Sequence, residues 1–362
     1  MTGANTRVGG ISMTHRSLPS MRDVAEHAQV SLATVDRVLH GRPGVREPTI
    51  ARVMKAAKAL GYMTETESAN AGQTQTKSLK LMFLLPNSDN AFLRMLQDMV
   101  GYSQDRWLSV QVSCQVECIE GFNPSALAEA LLRHGRRFDG VVFFGLDHPL
   151  VRDAVNTLTA EGVPIVTLVS DISQSPCVGF VGMDGHTAGR TAADLMARFM
   201  GVRGKQNGGK VAMIAGSLNY RAHVERQTGF LHLLRDQYKN VEVVGLREGR
   251  DNAETNYHHV RTLFERHPDI TGIYCLGGGA QGIAKALKER RLDHRVTFIG
   301  HGLTPDTRAL LIDGSMDASL YQTPHNLIGN CVRIFANLRD GLQASVGVEP
   351  VQVKVMFREN LP

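Results

Sequence analysis

The first part of the chain carries apolar residues at the spacing of α-helices. Three segments follow one another, and in each the apolar residues stand three or four positions apart, as on one face of a helix. The inward positions are Met21, Val24, Ala25 and Ala28, then Val35, Val38 and Leu39 within Leu32 to His40, then Ile50, Val53, Met54, Ala57 and Leu60. The pattern predicts two short helices joined by a tight turn and braced by a third helix, which is typical of a helix-turn-helix.

Polar residues mark the ends of these predicted helices. Ser20 and Asp23 have the spacing of a capping box, in which the serine side chain accepts from a backbone amide three residues on. Gln29 and Val30 form a tight turn, and Ser31 is placed to cap the second helix. Gly61 follows the third helix at the usual place of a left-handed cap.

Beyond residue 78 the pattern changes to short apolar runs that alternate with helical segments. This alternation predicts an α/β fold with parallel sheets, and its length suits two similar lobes with a ligand cleft at the carboxyl ends of the strands. The predicted strands are Leu79–Leu85, Val110–Glu117, Gly140–Phe144, Ile165–Val169, Lys210–Ala215, Val241–Gly245, Gly272–Leu276 and Val296–Gly300. Predicted helices include Ala91–Arg106, Thr187–Met200, Arg221–Tyr238 and Pro324–Gly341.

The composition divides the chain into four parts. Residues 1–19 have no apolar core segment and are interpreted as a flexible tail, and residues 64–78 are polar and read as a linker. The predicted domains are therefore a helix-turn-helix at 20–63 and a two-lobed effector-binding and dimerisation domain at 79–362.

Charge and cysteine content narrow the function classes. The net charge is +5, and residues 20–62 alone hold seven basic and four acidic side chains. This balance permits an acidic partner for the head, but it also suits any small helical bundle with a mildly basic face. The five cysteines are odd in number and scattered, so free thiols in a reducing cytoplasm are expected.

No apolar run approaches a membrane span, and neither a zinc spacing nor a convincing nucleophile–base pair is present. We therefore expect no metal and no cofactor.

The head has a sequence that matches a known family. Residues 21–41 read MRDVAEHAQVSLATVDRVLHG, and Gly44-Val45 and Ala59-Leu60-Gly61-Tyr62 follow. This run closely resembles the DNA-binding head of the lactose-repressor (LacI/GalR) family. The resemblance implies double-stranded operator DNA as the partner and a homodimer, or a tetramer, as the binding form. It implies phosphate contacts from Ser20, Ser31 and Thr34, and base contacts from Leu32, Ala33 and Arg37.

Arg37 is the candidate for reading a guanine, because its planar fork fits O6 and N7 together. Two neighbouring positions depart from the family pattern: Asp36 stands where serine is common, and His40 where asparagine is common. Both are included in the predicted DNA-binding set, and Asp36 is expected to tune specificity or to pair within the head. The linker lacks the Pro-Asn and central leucine of the family's hinge helix, which favours a plain tether.

The large domain resembles the periplasmic-sugar-binding-like sensor domain of the same family. The carrying motifs are Leu85-Pro86-Asn87, Asn90-Ala91-Phe92, Val163 to Asp171, Val181 to Asp184, Glu225 to Phe230 and Gln322-Thr323-Pro324. By this resemblance the effector-binding residues would be Asn90, Phe92, Ser170, Asp171, Arg226 and Gln322. Gly278 and Gly279 stand where the family has Asn-Asp, and Gly302 stands near an expected acid. We expect these glycines to line the cleft closely, and the effector to be a sugar or polyol.

Two other functions remain as alternatives at this point. Residues 277–282 fit the G-x-G-x-x-G pattern of dinucleotide-binding enzymes, although the ribose-binding acid is missing after the next strand. A cytoplasmic solute-binding protein without DNA activity would account for the large domain but not for the basic head. The preferred interpretation is a DNA-binding regulator without enzymatic activity, most simply a repressor.

Overall fold

The computed structural model describes residues 20–39, 45–60, 62, 78–102, 111–202 and 208–362. The predicted tail, His40, Gly61 and residues 64–77 of the predicted linker lie outside these ranges. The chain divides into two compact units, Met1–Lys77 and Ser78–Pro362. Each unit is considered by itself below.

The first unit holds three helices among its described residues: α1 (Met21–Ala28), α2 (Leu32–Leu39) and α3 (Glu47–Ala59). Their small core joins all three helices and contains most of the predicted inward positions, but not Ile50 and Met54, while the buried Ala56 was not predicted. Its buried members are Val24, Ala25, Ala28, Val35, Val53, Ala56 and Ala57, with Met21, Val38, Leu39, Leu60 and Tyr62 packed against them. The structure therefore places the predicted apolar stripes against one another.

The predicted caps of the first two helices are present. Ser20 Oγ accepts from the Asp23 amide at 3.4 Å, and Asp23 Oδ2 accepts from the Ser20 amide at 2.6 Å. These hydrogen bonds hold the pKa of the Asp23 carboxyl below its ordinary value. Gln29 ends α1 in the left-handed conformation, at φ 52° and ψ 49°. Glycine would adopt this conformation more easily, because it has no Cβ to clash with the backbone.

The variant Gln29→Gly is expected to stabilise the head by about 0.5–1 kcal/mol, because glycine adopts the left-handed conformation at this position without the steric cost that a side chain imposes. Hydrogen exchange of the α1 amides in the full chain would measure the change. The matched control is Glu26→Gly, at an exposed right-handed position of the same helix. There glycine is expected to cost about 1 kcal/mol. Slower exchange in the control, or faster exchange in Gln29→Gly, would contradict the conformational argument.

The second unit has two lobes, each built on a parallel sheet. The first sheet contains β1 (Leu79–Asn87), β2 (Val112–Glu120), β3 (Gly140–Phe144), β4 (Ile165–Leu168) and β5 (Gly179–Val181), in the order β2-β1-β3-β4-β5. Along β1 every residue from Leu81 to Pro86 is buried, as expected for a parallel strand covered on both faces. Leu81, Phe83 and Leu85 face one core, while Met82 and Leu84 face the other.

The second sheet has the order β11-β10-β9-β8-β6-β7, and only its edge strand β11 is antiparallel within the described residues. Its strands are β6 (Gly209–Ala215), β7 (Val241–Glu248), β8 (Ile270–Cys275), β9 (Thr297–His301), β10 (Ala318–Tyr321) and β11 (Lys354–Met356). The helices of the unit are α4 (Ala91–Tyr102), α5 (Pro124–Gly135), α6 (Pro149–Ala160), α7 (Gly185–Phe199), α8 (Arg221–Gln237), α9 (Ala253–Arg266), α10 (Ala280–Glu289), α11 (Pro305–Ile312) and α12 (Pro324–Arg339). A short 3₁₀ helix, Arg358–Asn360, follows β11.

The last long helix returns to the first lobe. Leu327, Ile328, Cys331 and Phe335 of α12 pack in the same core as Phe83. The chain therefore passes between the lobes three times: after β5, before α12 and again before β11. Each predicted strand falls on an observed strand, but the short strands β5, β10 and β11 were not predicted. The predicted two-lobed parallel-sheet fold is confirmed.

Candidate functional site

The surface of α2 holds most of the residues predicted to contact DNA. Ser20, Ser31, Ala33 and Arg37 are exposed, and Thr34 and Asp36 are half-buried. Ser31 caps the helix, since its Oγ accepts from the Thr34 amide at 3.2 Å. Leu32 is a large apolar side chain at the start of the helix, yet 46% of it is exposed. The described residues thus present an exposed face opposite Val35, which is fully buried.

A cavity lies between the two lobes of the second unit, at the carboxyl ends of the strands. Its empty volume is about 790 Å³, a figure that includes open solvent at its mouth. The lining includes seven of the nine predicted effector residues, namely Asn90, Phe92, Arg226, Gly278, Gly279, Gly302 and Gln322. The structure therefore brings together residues that are far apart in the sequence.

Ser170 and Asp171 lie outside this lining. Val169 does line the cavity, but its left-handed φ of 64° turns the chain immediately afterwards. Ser170 is fully buried, and its Oγ accepts from the Ala222 amide at 3.4 Å. Asp171 Oδ1 accepts from the Thr167 hydroxyl at 2.6 Å. Both side chains hydrogen-bond within the protein, which differs from the predicted contact with ligand hydroxyls.

Asp251 is a cavity residue that the sequence analysis missed. It follows β7, is only 6% exposed, and lies with Arg250 in the left-handed region, at φ values of 58° and 51°. Its Oδ2 accepts from Asn90 Nδ2 at 3.0 Å, and its Oδ1 accepts from the Gly278 amide at 2.7 Å. Asn90 belongs to the first lobe, so the first bond crosses the cleft. An acid just beyond a strand's carboxyl end was the signal available in the sequence.

The glycines at 277–279 make room for this carboxylate. A Cβ at Gly277 would lie 2.4 Å from Asp251 Oδ1, and a Cβ at Gly278 would lie 2.7 Å from Asn90 Nδ2. Gly279 has a φ of 74°, a conformation that favours glycine. Asp251 therefore supplies a carboxylate where the family pattern led us to expect Asn-Asp at 278 and 279. The cleft therefore contains an acidic hydrogen-bond acceptor, although this acceptor comes from a different position in the chain than the family pattern implied.

The same contacts bear on the G-x-G-x-x-G alternative. In a dinucleotide site the loop amides before the helix face a phosphate. Here the Gly278 amide already donates to the chain's own Asp251 carboxylate. Gly282 packs so closely that a Cβ there would lie 1.6 Å from the Ala253 carbonyl oxygen, which accounts for the third glycine by helix packing.

Arg226 is placed by close packing of α8 against α7. A Cβ on Gly189 would lie 2.0 Å from the Arg226 carbonyl oxygen, and a Cβ on Gly229 would lie 2.0 Å from the His186 carbonyl oxygen. This packing holds Arg226 against the cavity, where its Nη1 donates to the Leu276 carbonyl oxygen at 2.5 Å. The side chain is 6% exposed, and burial lowers its pKa.

Two histidines also line the cavity. His223 Nδ1 donates to the Ser217 carbonyl oxygen at 2.9 Å. Burial lowers its pKa to about 4, with Arg226 acting in the same direction and Asp251 opposing it. His301 Nε2 lies 2.9 Å from the Tyr274 hydroxyl, and burial lowers the pKa of His301 well below its ordinary value. Both imidazoles are therefore neutral at pH 7.

Further contacts join the two lobes. Tyr220, at the start of α8, packs against Phe122 and Phe144 of the first lobe, with ring centroids 5.3 and 4.9 Å apart. The Arg250 guanidinium lies 5.1 Å from the Phe122 ring centroid. Gln322, in the second crossing, accepts from the Met183 amide in the first crossing at 2.8 Å. The lobes are thus in contact on more than one side of the cavity.

Two other kinds of site are absent from the described part of the chain. No cluster of three or more His, Cys, Asp or Glu side chains is placed to hold a metal ion. No helix there is long and apolar enough to cross a membrane.

Comparison with known proteins adds an independent finding. Residues 20–65 match the family model for bacterial regulatory proteins of the lacI family, and residues 83–343 match that for a periplasmic binding protein domain. An uncharacterized HTH-type transcriptional regulator in the aml 5' region of Streptomyces limosus is 30% identical over 299 residues, which cover 76% of each chain. The HTH-type transcriptional regulator MalR of Streptococcus pneumoniae is 25% identical over 287 residues, covering 76% of this chain and 81% of MalR.

Solved structures support the fold of the second unit. The glucose-galactose binding protein GanP from Geobacillus stearothermophilus has a TM-score of 0.70 to this chain, with 23% identity. The match covers 79% of this chain and 99% of GanP. At this identity the likeness establishes the two-lobed fold alone.

Proposed function

Because this chain belongs to the LacI family of bacterial regulatory proteins, with a periplasmic-binding-protein-like second domain, we propose that it is a repressor controlled by a sugar or polyol. The chain is a DNA-binding transcriptional regulator, and the relatives from Streptomyces limosus and Streptococcus pneumoniae are HTH-type transcriptional regulators. The observation that carries the effector role is the Asn90–Asp251 hydrogen bond across the cavity, because a ligand there meets polar groups of both lobes.

The proposed DNA contacts follow the layout of α2. Leu32, Ala33 and Arg37 face base edges in the major groove: Ala33 and Arg37 are exposed on the side opposite the buried Val35, and the exposed Leu32 flanks them. Ser20, Ser31 and Thr34 contact phosphates. Asp36 and His40 belong to the proposed DNA-contacting set, in which Asp36 tunes specificity or pairs within the head; His40 lies outside the residues that the structure describes.

The proposed effector site is the cavity between the lobes. Asn90, Arg226, Gln322 and the missed Asp251 supply its polar contacts, while Phe92 supplies an apolar surface for the sugar ring. Gly278, Gly279 and Gly302 let the ligand approach the backbone. Ser170 and Asp171 act behind the cavity, through Ala222 and Thr167.

The proposed mechanism couples the two sites in a cytoplasmic homodimer. Two heads occupy successive major grooves of a pseudo-palindromic operator. The effector has a higher affinity for one arrangement of the lobes than for the other, and this difference changes operator affinity.

A gel-shift assay with the full chain and its own upstream region tests this function. We expect specific binding at about 10⁻⁸ M or tighter at physiological salt, at least about 1,000-fold tighter than for a scrambled duplex. A sugar or polyol that raises the melting temperature of the protein should then shift the operator affinity. Equal affinity for both duplexes would contradict the proposal.

A further inference from the structure

Two cavity-lining residues each carry a buried polar atom that has no hydrogen-bond partner among the described residues: Arg226 Nε and His301 Nδ1. The His301 assignment follows from its partner. Tyr274 is fully buried, and its hydroxyl is satisfied as a donor when it donates to His301 Nε2. The remaining proton of the neutral imidazole then lies on Nδ1. A buried donor without a partner costs free energy, so both groups favour a ligand acceptor.

Among the described residues, Arg226 also lacks a hydrogen-bonded counter-ion, although the Asp251 and Glu225 carboxylates lie near enough to oppose the lowering of its pKa by burial. Glu225 is next to it in the sequence, but the Glu225 carboxylate accepts from Arg221 Nε at 2.8 Å. The Asp251 carboxylate receives the neutral donors Asn90 Nδ2 and the Gly278 amide instead. Burying a charge without a paired partner is expensive, and a bound anion would remove that cost.

Asp251 offers hydrogen-bond acceptors to a ligand, in contrast to the donors of Arg226 and His301. A carboxylate has about four acceptor positions, and Asp251 uses one on each oxygen for Asn90 and Gly278. The remaining positions are suited to ligand hydroxyl groups. The cavity therefore offers an acceptor group near Asn90 and two donors at Arg226 and His301.

We propose that the effector is a sugar acid, whose carboxylate accepts from Arg226 and His301 while its hydroxyls donate to Asp251. This deepens, and rests on, the proposed effector-controlled regulator. A carboxylate fits better than a phosphate because Arg226 is the single Arg or Lys in the described lining, which also contains the carboxylates Asp251 and Asp306. A phosphate dianion would bring more negative charge than one guanidinium balances.

Isothermal titration calorimetry of the full chain without DNA tests the proposal with matched ligands. The acids are D-glucuronate, D-galacturonate and D-gluconate, and the neutral partners are D-glucose, D-galactose and D-sorbitol; D-glucose 6-phosphate tests the phosphate. At least one acid should bind about 10- to 100-fold more tightly than its neutral partner and than the phosphate, as expected for charge-assisted hydrogen bonds. Binding of a neutral partner or the phosphate at least as tightly as every acid, or no binding of any acid, would overturn it.

Variants locate the carboxylate. Arg226→Met keeps the aliphatic stem and should reduce the preference for the acid to less than about three-fold, because the charge is gone. The matched control Arg235→Met lies in the last turn of α8, exposed and outside the cavity lining, and should keep the full preference. His301→Phe is the second test if Arg226→Met fails to fold by circular dichroism, and it should weaken the acid more than the neutral partner. An unchanged preference in both cavity variants would contradict the assignment.

The outcomes separate this inference from the proposed function. A sugar acid that binds but leaves operator affinity unchanged would support the inferred ligand class. It would contradict the proposal that this ligand controls DNA binding. A neutral sugar that binds most tightly and shifts operator affinity would support the proposed effector-controlled regulator. It would overturn the inference that the effector is a sugar acid.

Discussion

Replacing Arg37 with alanine is expected to weaken operator binding by about 1–3 kcal/mol and to relax discrimination at one base pair of each half-site. Arg37 is exposed on α2, on the side away from the buried Val35. Its fork can pair with O6 and N7 of one guanine, so the loss should be large for the guanine-containing operator and small when that base is changed. Competition gel shifts with every single-base variant of the half-site would measure both effects.

The control for this prediction is Arg52→Ala, which removes the same charge from an exposed position on α3. Arg52→Ala is expected to change binding to all duplexes by the same factor, because loss of a general attraction to phosphates carries no sequence information. If Arg37→Ala behaves like the control, Arg37 is a phosphate contact. Retained discrimination at every base would exclude the proposed role.

Acidification from pH 7 to pH 4 is expected to destabilise the second unit, because His223 stays neutral when folded. Its folded pKa is about 4, with burial as the largest cause, against an unfolded value of 6.5. Between these values the unfolded state binds a proton that the folded state does not, so stability falls as the pH falls. The stabilisation is complete above pH 6.5, and about 3 kcal/mol is lost toward pH 4. Urea unfolding followed by circular dichroism at several pH values would measure it.

The variant His223→Gln should lose part of this acid sensitivity, and His258→Gln should keep all of it. His258 has a side chain that is 63% exposed and is the matched control on α9. His301 has a lowered pKa for the same reason, so its own contribution should remain in the His223 variant. Identical pH dependence in the wild type and His223→Gln would show that His223 does not have the lowered pKa.

The sequence determined the architecture because periodicity is a local property. The apolar spacing in the head marked three helices, and the capping pair Ser20–Asp23 marked where the first begins. The alternating runs beyond residue 78 predicted the parallel strands, because each buried strand must be apolar on both faces. The family resemblance then implied most of the cavity residues, including Asn90 and Arg226.

Only the tertiary structure decided which polar groups meet in the cavity. Asp251 hydrogen-bonds to Asn90 across 161 positions of sequence, and no local pattern records such a contact. In the sequence, the glycines at 277–279 suggested that the cleft had lost an acidic residue. The fold shows that they leave space for the Asp251 carboxylate. Likewise, the turn at Val169 directs Asp171 to Thr167, since side-chain direction depends on a backbone angle that the residue names do not specify. The residue pattern therefore determined the class of protein, and long-range packing determined the chemistry of its cavity.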